Sequence, residues 1–397
     1  MRLNARVENV APSATLAMSA RASELRREGR PVIVLSAGEP DFDTPAPISE
    51  AGAKAIRNGF TNYTANAGMP ELREAIAGKL QRDNDLRYDP DQILCSNGAK
   101  QSVALAVHVL TGEGDEVLIP APHWVSYPEM AKLAGAEPKR VPTSVESGYK
   151  LTPEALDDAI TDRTRLIVLC SPSNPTGAAY SPDELEALAE VLRSHEQVYV
   201  LSDEIYEHIR FAGEHQAFAA LPGMKNRTVT INGFSKAYAM TGWRLGYLAA
   251  PARITDAAAK VQSQFTSAPS SISQKAGVAA LEMDHGPVRE MRDAFRERRD
   301  LVVERLRAID GVRCPEPEGA FYVFPDVSAL LGRETVSGRS IENSTDLCFY
   351  LLEEHNVALV MAEAFGAPDG LRLSYAASRE DLEKALDRIE EGLAALP

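Results

Sequence analysis

The sequence predicts an α/β fold with a mainly parallel central sheet, helices on both of its faces, and a smaller α+β unit beside it. Three observations carry this expectation. Between about residues 90 and 250, short runs rich in Val, Ile and Leu alternate with amphipathic helical runs. The apolar runs are continuous rather than alternating, which marks strands covered on both faces. Beyond residue 250 the order changes to a long charged, helix-prone stretch followed by mixed strands and helices. A chain of 397 residues is long enough for two domains. The expected division is an N-terminal arm joined to the smaller unit over residues 1–45, a large domain over 46–300, and a small domain over 301–397.

Taken in order, the N-terminal segment reads as irregular at first and then as part of the smaller unit. DQILCS (91–96) is a strand leading into a helix at 99–110. DEVLIPAP (115–122) is a strand leading into SYPEMAKLAG. TRLIVLCSP (164–172) precedes a helix over 181–194 whose start is well signalled. There Ser181 is the N-cap, Pro182 the first helical residue, and Glu184 completes a capping box. QVYVLSDE (197–204) and RTVTING (227–233) are two further strands. After the helix-prone region from Arg253 to about Ala308 come GAFYVFPDVS (319–328), NVALVMAEAFG (356–366), GLRLSYA (370–376) and a final amphipathic helix.

Composition excludes several classes. Apolar residues at 44% and charged residues at 25% are ordinary for a soluble globular protein. No run is long enough to span a membrane, and the N-terminus has no continuous apolar stretch of signal-peptide type. A cytoplasmic protein is therefore expected. The net charge of −15 argues against a nucleic-acid partner, because phosphate binding needs a basic surface. Cys95, Cys170, Cys314 and Cys348 form no C-x-x-C pair, so reduced thiols are expected and no metal site.

The chemistry gathers where the strands end. In parallel α/β sheets, ligands bind beyond the carboxyl ends of the strands. Five candidate strands run into conspicuous polar residues: Ser96-Asn97-Gly98-Ala99-Lys100, His123-Trp124, Ser173-Asn174, Asp203 with Tyr206, and Ser235-Lys236. Each alone also fits an ordinary role as turn residue, core aromatic, loop carboxylate or solvated lysine. Together they suggest one composite site. Gly98 and the first turn of the next helix suit a phosphate. Asp203 closes an apolar run, where a carboxylate is costly without a cation or donors. Burial and a nearby cation such as Arg244 would lower the Lys236 pKa and expose a nucleophilic amine that condenses with carbonyls. There is no nucleotide P-loop sequence, and no G-x-G-x-x-G follows a strand. One cofactor matches the set. Pyridoxal 5′-phosphate needs an amine to hold its aldehyde, donors for its phosphate, a carboxylate for its pyridine nitrogen and a flat group against its ring.

The chain resembles the fold type I, pyridoxal-phosphate-dependent aminotransferases of class I, above all the bacterial aspartate aminotransferases of the Iβ branch. The resemblance covers nearly the whole chain through PSAT (12–15), AGEPDFDTP (37–45), NYTANAGMPELREAI (62–76), WVSYPEM (124–130), SPSNPTGA (171–178), SDEIYEH (202–208), SKAYAMTGWRLGY (235–247), GAFYVF (319–324) and LRLSYA (371–376). It implies that Lys236 binds the cofactor covalently and shuttles the proton, and that Asp203 pairs with the pyridine nitrogen. Tyr206 and Asn174 would contact the ring's phenolic oxygen, and Trp124 would stack on the ring. Arg244, Ser235 and the backbone of Gly98, Ala99 and Lys100 would hold the phosphate. Tyr63 would reach the phosphate of a neighbouring subunit, which implies a homodimer with shared sites. Arg372 would grip the substrate α-carboxylate, assisted by Asn174 and the Gly38 backbone, and Trp124 would also face substrate. Lys100 is the candidate for a distal carboxylate.

Two departures stand out. Many relatives carry Ser three residues before the lysine; here that residue is Gly233. The stretch QSQFTSAPSSISQKAG (262–277) holds no arginine to donate across a dimer. The resulting expectation is a ping-pong transamination between an L-amino acid, aspartate first, and 2-oxoglutarate. Aromatic amino acids, kynurenine and prephenate are the alternatives on the same scaffold. A cofactor-bound regulator is the non-enzyme alternative, opposed by the acidic balance and by the roughly 35 residues before AGEP, too few for a helix-turn-helix domain.

Overall fold

Seven strands pair into one sheet among the residues that the computed structural model describes, which are 3–12, 14–336 and 338–396. Ser13 of the PSAT stretch lies outside them. The strands are β1 (Ile93–Ser96), β2 (Glu116–Ala121), β3 (Glu137–Pro142), β4 (Thr164–Cys170), β5 (Tyr199–Asp203), β6 (Thr228–Gly233) and β7 (Gly246–Ala249). Their spatial order is β1-β7-β6-β5-β4-β2-β3. Only β7 is antiparallel to its neighbours, so the other six strands point the same way.

Both faces of the sheet are covered, as continuous apolar strands require. Leu166 and Val168 of β4 enter one core, while Ile167 and Leu169 enter the opposite one. Val117 and Ile119 of β2 likewise face away from Leu118. The helices relevant below are α1 (Ala14–Arg27), α2 (Pro70–Asn84), α3 (Ala99–Leu110), α4 (Ser126–Ala134), α5 (Pro182–Arg193), α6 (Gly286–Arg307) and α7 (Arg379–Ala394). On one face lie α3 and α4, through Val103, Val107 and Met130. On the other lies α5, whose Leu185, Leu188, Ala189 and Leu192 recur at helical spacing and are buried. The Ser181 hydroxyl accepts from the Glu184 amide at 3.2 Å, and the Glu184 carboxylate accepts from the Ser181 amide at 2.7 Å. Such a cap contributes about 1 kcal/mol.

A separate core gathers Met18, Ala22 and Leu25 of α1, the later part of α6, Phe321, Leu373, and Leu382, Leu386 and Ile389 of α7. A three-stranded antiparallel sheet of Val360–Met361, Leu371–Ser374 and Tyr322–Val323 runs through it. Ile33–Val34 pairs in parallel with Val357–Ala358, which ties the N-terminal segment to this unit. Helix α6 belongs to both regions: Val288 packs with the large-sheet core, and residues from Met291 to Leu306 pack here.

Among the elements that the structure adds to those expected, which include the helix Pro70–Asn84, three have a clear reason for their weak signal. Strand β3, EPKRVP, is a half-exposed edge strand whose two prolines obscure it in sequence. Strand β7 is four residues long and reversed, wedged between the Arg244 turn and Pro251. The N-terminal segment expected as irregular forms helix α1, whose polar, weakly periodic sequence gives little signal.

Candidate active site

The common direction of six strands brings their polar ends to one edge of the sheet. Asp203 ends β5, Lys236 lies three residues beyond β6, and these two strands are hydrogen-bonded neighbours. Because β7 is reversed, the Arg244 that precedes it arrives at this same edge, opposite Ser96 of β1. The resulting cleft has a volume of about 600 Å³. Its walls include Gly38, Ala99, Lys100, Trp124, Asn174 and Asp203 of the expected residues. Tyr206, Ser235, Lys236, Arg244 and Arg372 complete them. Gly98 sits under the Arg244 guanidinium rather than in the wall. Tyr63 stands apart from the cleft and is 97% exposed.

Lys236 donates from Nζ to the Gly38 carbonyl at 2.5 Å. Burial lowers its pKa to about 8, reinforced by Arg372 and Arg244 and opposed by Glu39 and Asp203. Its amine is therefore partly neutral under mildly alkaline conditions, as a nucleophile or proton acceptor must be. Asp203 is shifted the other way. It is only 5% exposed, and burial pushes its carboxyl up to about 6. The Tyr127 hydroxyl donates to its Oδ2 at 2.7 Å, and the Ile205 amide donates to its Oδ1 at 3.3 Å. An anion so thinly compensated is prepared for a cation.

Tyr206 and Tyr322 share a hydrogen bond at 3.0 Å between their hydroxyls. Burial raises both phenols, so they remain protonated donors at neutral pH. Arg372 is 2% exposed. It donates from Nη1 to Asn174 Oδ1 at 3.0 Å and from Nη2 to the Ser36 carbonyl at 2.7 Å. The guanidinium lies 4.6 Å over the Tyr322 ring and 5.2 Å over the Phe365 ring, while its Nε is buried without a hydrogen-bond partner among the described residues. Lys100 lies 5.2 Å over the Trp124 ring, its pKa lowered by burial and by Arg244.

The residues present fit pyridoxal 5′-phosphate. Two glycines open a phosphate cradle at the N-terminus of α3, where free amides favour an anion. A Cβ on Gly98, whose φ is +82°, would lie 2.5 Å from the Arg244 guanidinium. A Cβ on Gly246 would lie 2.3 Å from the Ala99 amide nitrogen. Both positions demand the missing side chain so that β7, Arg244 and the helix start can meet. Gly233 has a related explanation. A Cβ there would come within 3.0 Å of the Gly246 Cα and 3.1 Å of the Leu245 carbonyl, so the close pairing of β6 and β7 leaves little room for a side chain at this position.

Sequence reasoning missed Tyr127 and Tyr322. Tyr127 stands three residues after Trp124, one helical step on, and its ring meets that of Trp124 edge-on at 5.2 Å. Tyr322 lies inside the GAFYVF stretch but reads there as a strand aromatic. Thr15, Leu16, Glu39 and Thr241 also line the cleft without having been singled out.

Comparison with known proteins agrees with this geometry. The model of the class I and II aminotransferase family matches residues 30–389. The chain is 54% identical over 398 residues to a bifunctional aspartate aminotransferase and glutamate/aspartate-prephenate aminotransferase of Petunia hybrida, covering 99% of this chain and 83% of that protein. It is 49% identical over 386 residues to an aspartate aminotransferase of Rhizobium meliloti, covering 97% and 94%. Among solved structures, the aspartate aminotransferase from Rhizobium meliloti superposes with a TM-score of 0.97 at 47% identity over 100% of both chains. That from Thermus thermophilus with maleate gives 0.93 at 42% identity, over 99% of this chain and 100% of the other.

Proposed function

Because the chain belongs to the class I and II aminotransferases, a family whose fold type I aspartate aminotransferases depend on pyridoxal phosphate, we propose that it moves the amino group of aspartate to 2-oxoglutarate by a ping-pong reaction. The observation that carries this reading is the pair of cations that line one cleft, brought there by different parts of the chain. Arg372 lines it with a guanidinium held by Asn174 and the Ser36 carbonyl, and Lys100 lines it from an exposed position over the Trp124 ring. Two separated cations suit a substrate with two carboxylates. The Thermus relative, solved with maleate, is a dicarboxylate-bound neighbour. A second reading, prephenate as acceptor, is favoured by the relatives from Petunia hybrida and Cereibacter sphaeroides, whose names include prephenate.

When bound, the cofactor supplies an aldehyde that captures amines and a ring that draws electrons from the α-carbon. Lys236 would hold it covalently, Asp203 would hold the proton on the ring nitrogen, and Tyr206 and Asn174 would bond the phenolic oxygen. Trp124 would lie against the ring. Arg244, Ser235, Gly98, Ala99 and the start of α3 would hold the phosphate. Arg372, Asn174 and the Gly38 backbone would orient the substrate α-carboxylate. Once free, the Lys236 amine moves the α-proton, and the pKa of about 8 supports that task.

The remaining assignments belong to the same proposal. Tyr63, exposed and clear of its own cleft, would serve the phosphate of a second subunit in a homodimer. The division into 1–45, 46–300 and 301–397 belongs to this reading; the separate cores follow it only in part, since Ile205, Tyr206, Met291 and Phe295 pack with the smaller unit. No helix among the described residues is long and apolar enough to cross a membrane, and a cytoplasmic location is the reading in keeping with that.

Borohydride reduction of the purified holoprotein followed by peptide mapping tests the cofactor assignment; a pyridoxyl adduct anywhere but Lys236 overturns it. A panel of amino donors with 2-oxoglutarate tests the substrate. Aspartate should lead, and faster turnover of aromatic donors would reject the dicarboxylate reading.

A further inference from the structure

A second group of charged side chains is buried behind the turn that follows Asp203. Lys79 of α2 is 1% exposed, and its ammonium meets one carboxylate oxygen of Glu207 and, at 2.7 Å, the Oδ1 of Asn84. The Glu207 carboxylate accepts two further bonds, from Asn84 Nδ2 at 2.7 Å and from Asn232 Nδ2 at 2.8 Å. Asn232 belongs to β6, four residues before Lys236, and its own Oδ1 accepts from the Gly233 amide at 2.7 Å. Glu207 directly follows Tyr206 in a turn that begins at Asp203.

A lysine and a carboxylate buried together contribute little net stability, and an apolar pair of similar volume often does as well. What this cluster supplies is direction, because one carboxylate gathers three donors from two elements into a fixed geometry. Those elements are α2, which packs under β1, and β6, which delivers Lys236. Glu204, Glu207 and His215 also offer ligand atoms within 4.8 Å of one another. The Glu207 oxygens are already engaged by Lys79, Asn84 and Asn232, and a metal ion there would face the Lys79 ammonium. The cluster is a hydrogen-bonded ionic knot.

We propose that Glu207, neutralised by Lys79 and tied to Asn232, is a positioning residue that fixes the Asp203–Tyr206 turn against the end of β6 and so sets how tightly the cleft holds the cofactor ring. This inference rests on the reading of Asp203, Tyr206 and Lys236 given above. Other ionisable groups face the cluster. His208 Nε2 lies 3.3 Å from Glu207 Oε1 without a hydrogen-bonding angle, and His215 bonds Glu204 at 3.0 Å. Tyr238 and His285 stand around the His208 ring. Burial works to raise the Glu207 carboxyl, yet Lys79 foremost holds it well below the usual range, so it stays ionised while the site operates.

The test uses three variants, Asn232→Ala, Glu207→Gln and the double change Lys79→Met with Glu207→Gln. Each is measured for apoprotein melting, for the dissociation constant of pyridoxal phosphate, and for the pH midpoint of the bound cofactor's visible band. Asn232→Ala removes a neutral donor to Glu207 together with the acceptor of the Gly233 amide, and leaves the Lys79–Glu207 charges paired. It should stay folded, bind the cofactor roughly tenfold more weakly, the equivalent of one hydrogen bond to a charged group, and shift the band midpoint, with kcat falling more than KM rises. The double variant, which leaves no charge unpaired, should show the same pattern. If Glu207→Gln alone does not fold because Lys79 is left uncompensated, the other two variants decide. Folded variants with lowered melting but an unchanged dissociation constant and band midpoint would make the knot merely structural and overturn the proposal. Failure of the wild-type protein to carry the cofactor on Lys236 would instead reject the reading beneath it.

Discussion

Removing the Asp203 charge should stabilise the cofactor-free protein while weakening the holoprotein. Asp203 is buried, its one close donor is the Tyr127 hydroxyl at 2.7 Å, and its carboxyl is raised from 3.8 to about 6. That difference of roughly two pH units corresponds to about 3 kcal/mol of folding free energy lost above pH 6, at about 1.4 kcal/mol per unit. The sign follows from the direction of the shift. A carboxyl whose folded pKa is raised favours the native state below its unfolded pKa, and that advantage is lost as pH rises through the folded value. Asp203→Asn keeps an acceptor for Tyr127 and forfeits only the 3.3 Å contact with the Ile205 amide, so about 2–3 kcal/mol should be recovered at pH 8. With an unfolding entropy of roughly 2.1 cal/mol/K per residue, the cofactor-free variant should melt about 2–4 °C above the cofactor-free wild type. The gain should shrink to under about 1 kcal/mol near pH 4, where the wild-type carboxyl is protonated. Scanning calorimetry of both apoproteins at the two pH values measures this directly. In the holoproteins the order should reverse, because only the aspartate offers a charge to the protonated ring. An apo variant no more stable than wild type at pH 8, or one whose advantage persists unchanged at pH 4, refutes the argument.

Lys100→Ala should reduce kcat/KM for aspartate by roughly 10- to 100-fold, the range of a charge-assisted hydrogen bond, and change phenylalanine far less; steady-state kinetics with both donors checks it. Tyr127→Phe should raise the Asp203 pKa further and lower cofactor affinity roughly tenfold, read by titrating the apoprotein with pyridoxal phosphate. Gly246→Ala should displace the start of α3, since its Cβ would meet backbone at 2.3 Å. Weak binding of inorganic phosphate and of the cofactor is expected together, both measurable by calorimetric titration.

Much of the site was legible because its residues stand at the ends of continuous apolar strands, and strand ends on one edge of a parallel sheet must converge. Asp203, Asn174, Trp124 and Lys236 were found that way. Arg372 and Gly38 came only with the resemblance, since they lie in segments with no such pattern and are brought to the cleft by the smaller unit. Tyr127 escaped because a tyrosine on an apolar helical face reads as core; its hydroxyl matters only once β5 is known to end beneath it. Strand β7 escaped for a geometric reason. Four residues bounded by a turn and a proline carry little period, and its reversal is what allows Arg244 to enter the site from the strand's beginning rather than its end.

Helix α6 has a consequence for how the molecule comes apart. Its first turn is anchored in one core and its remaining turns in another, so neither region owns all of its own wall. Two fragments cut near residue 300 would divide this helix, leaving Met291 and Phe295 on one piece and Val302 and Leu306 on the other. Each piece would carry an uncovered apolar stripe that only the other can close. Co-expressed halves would therefore have to find each other to become soluble, whereas a cut in the loop before Gly286 would leave the helix whole.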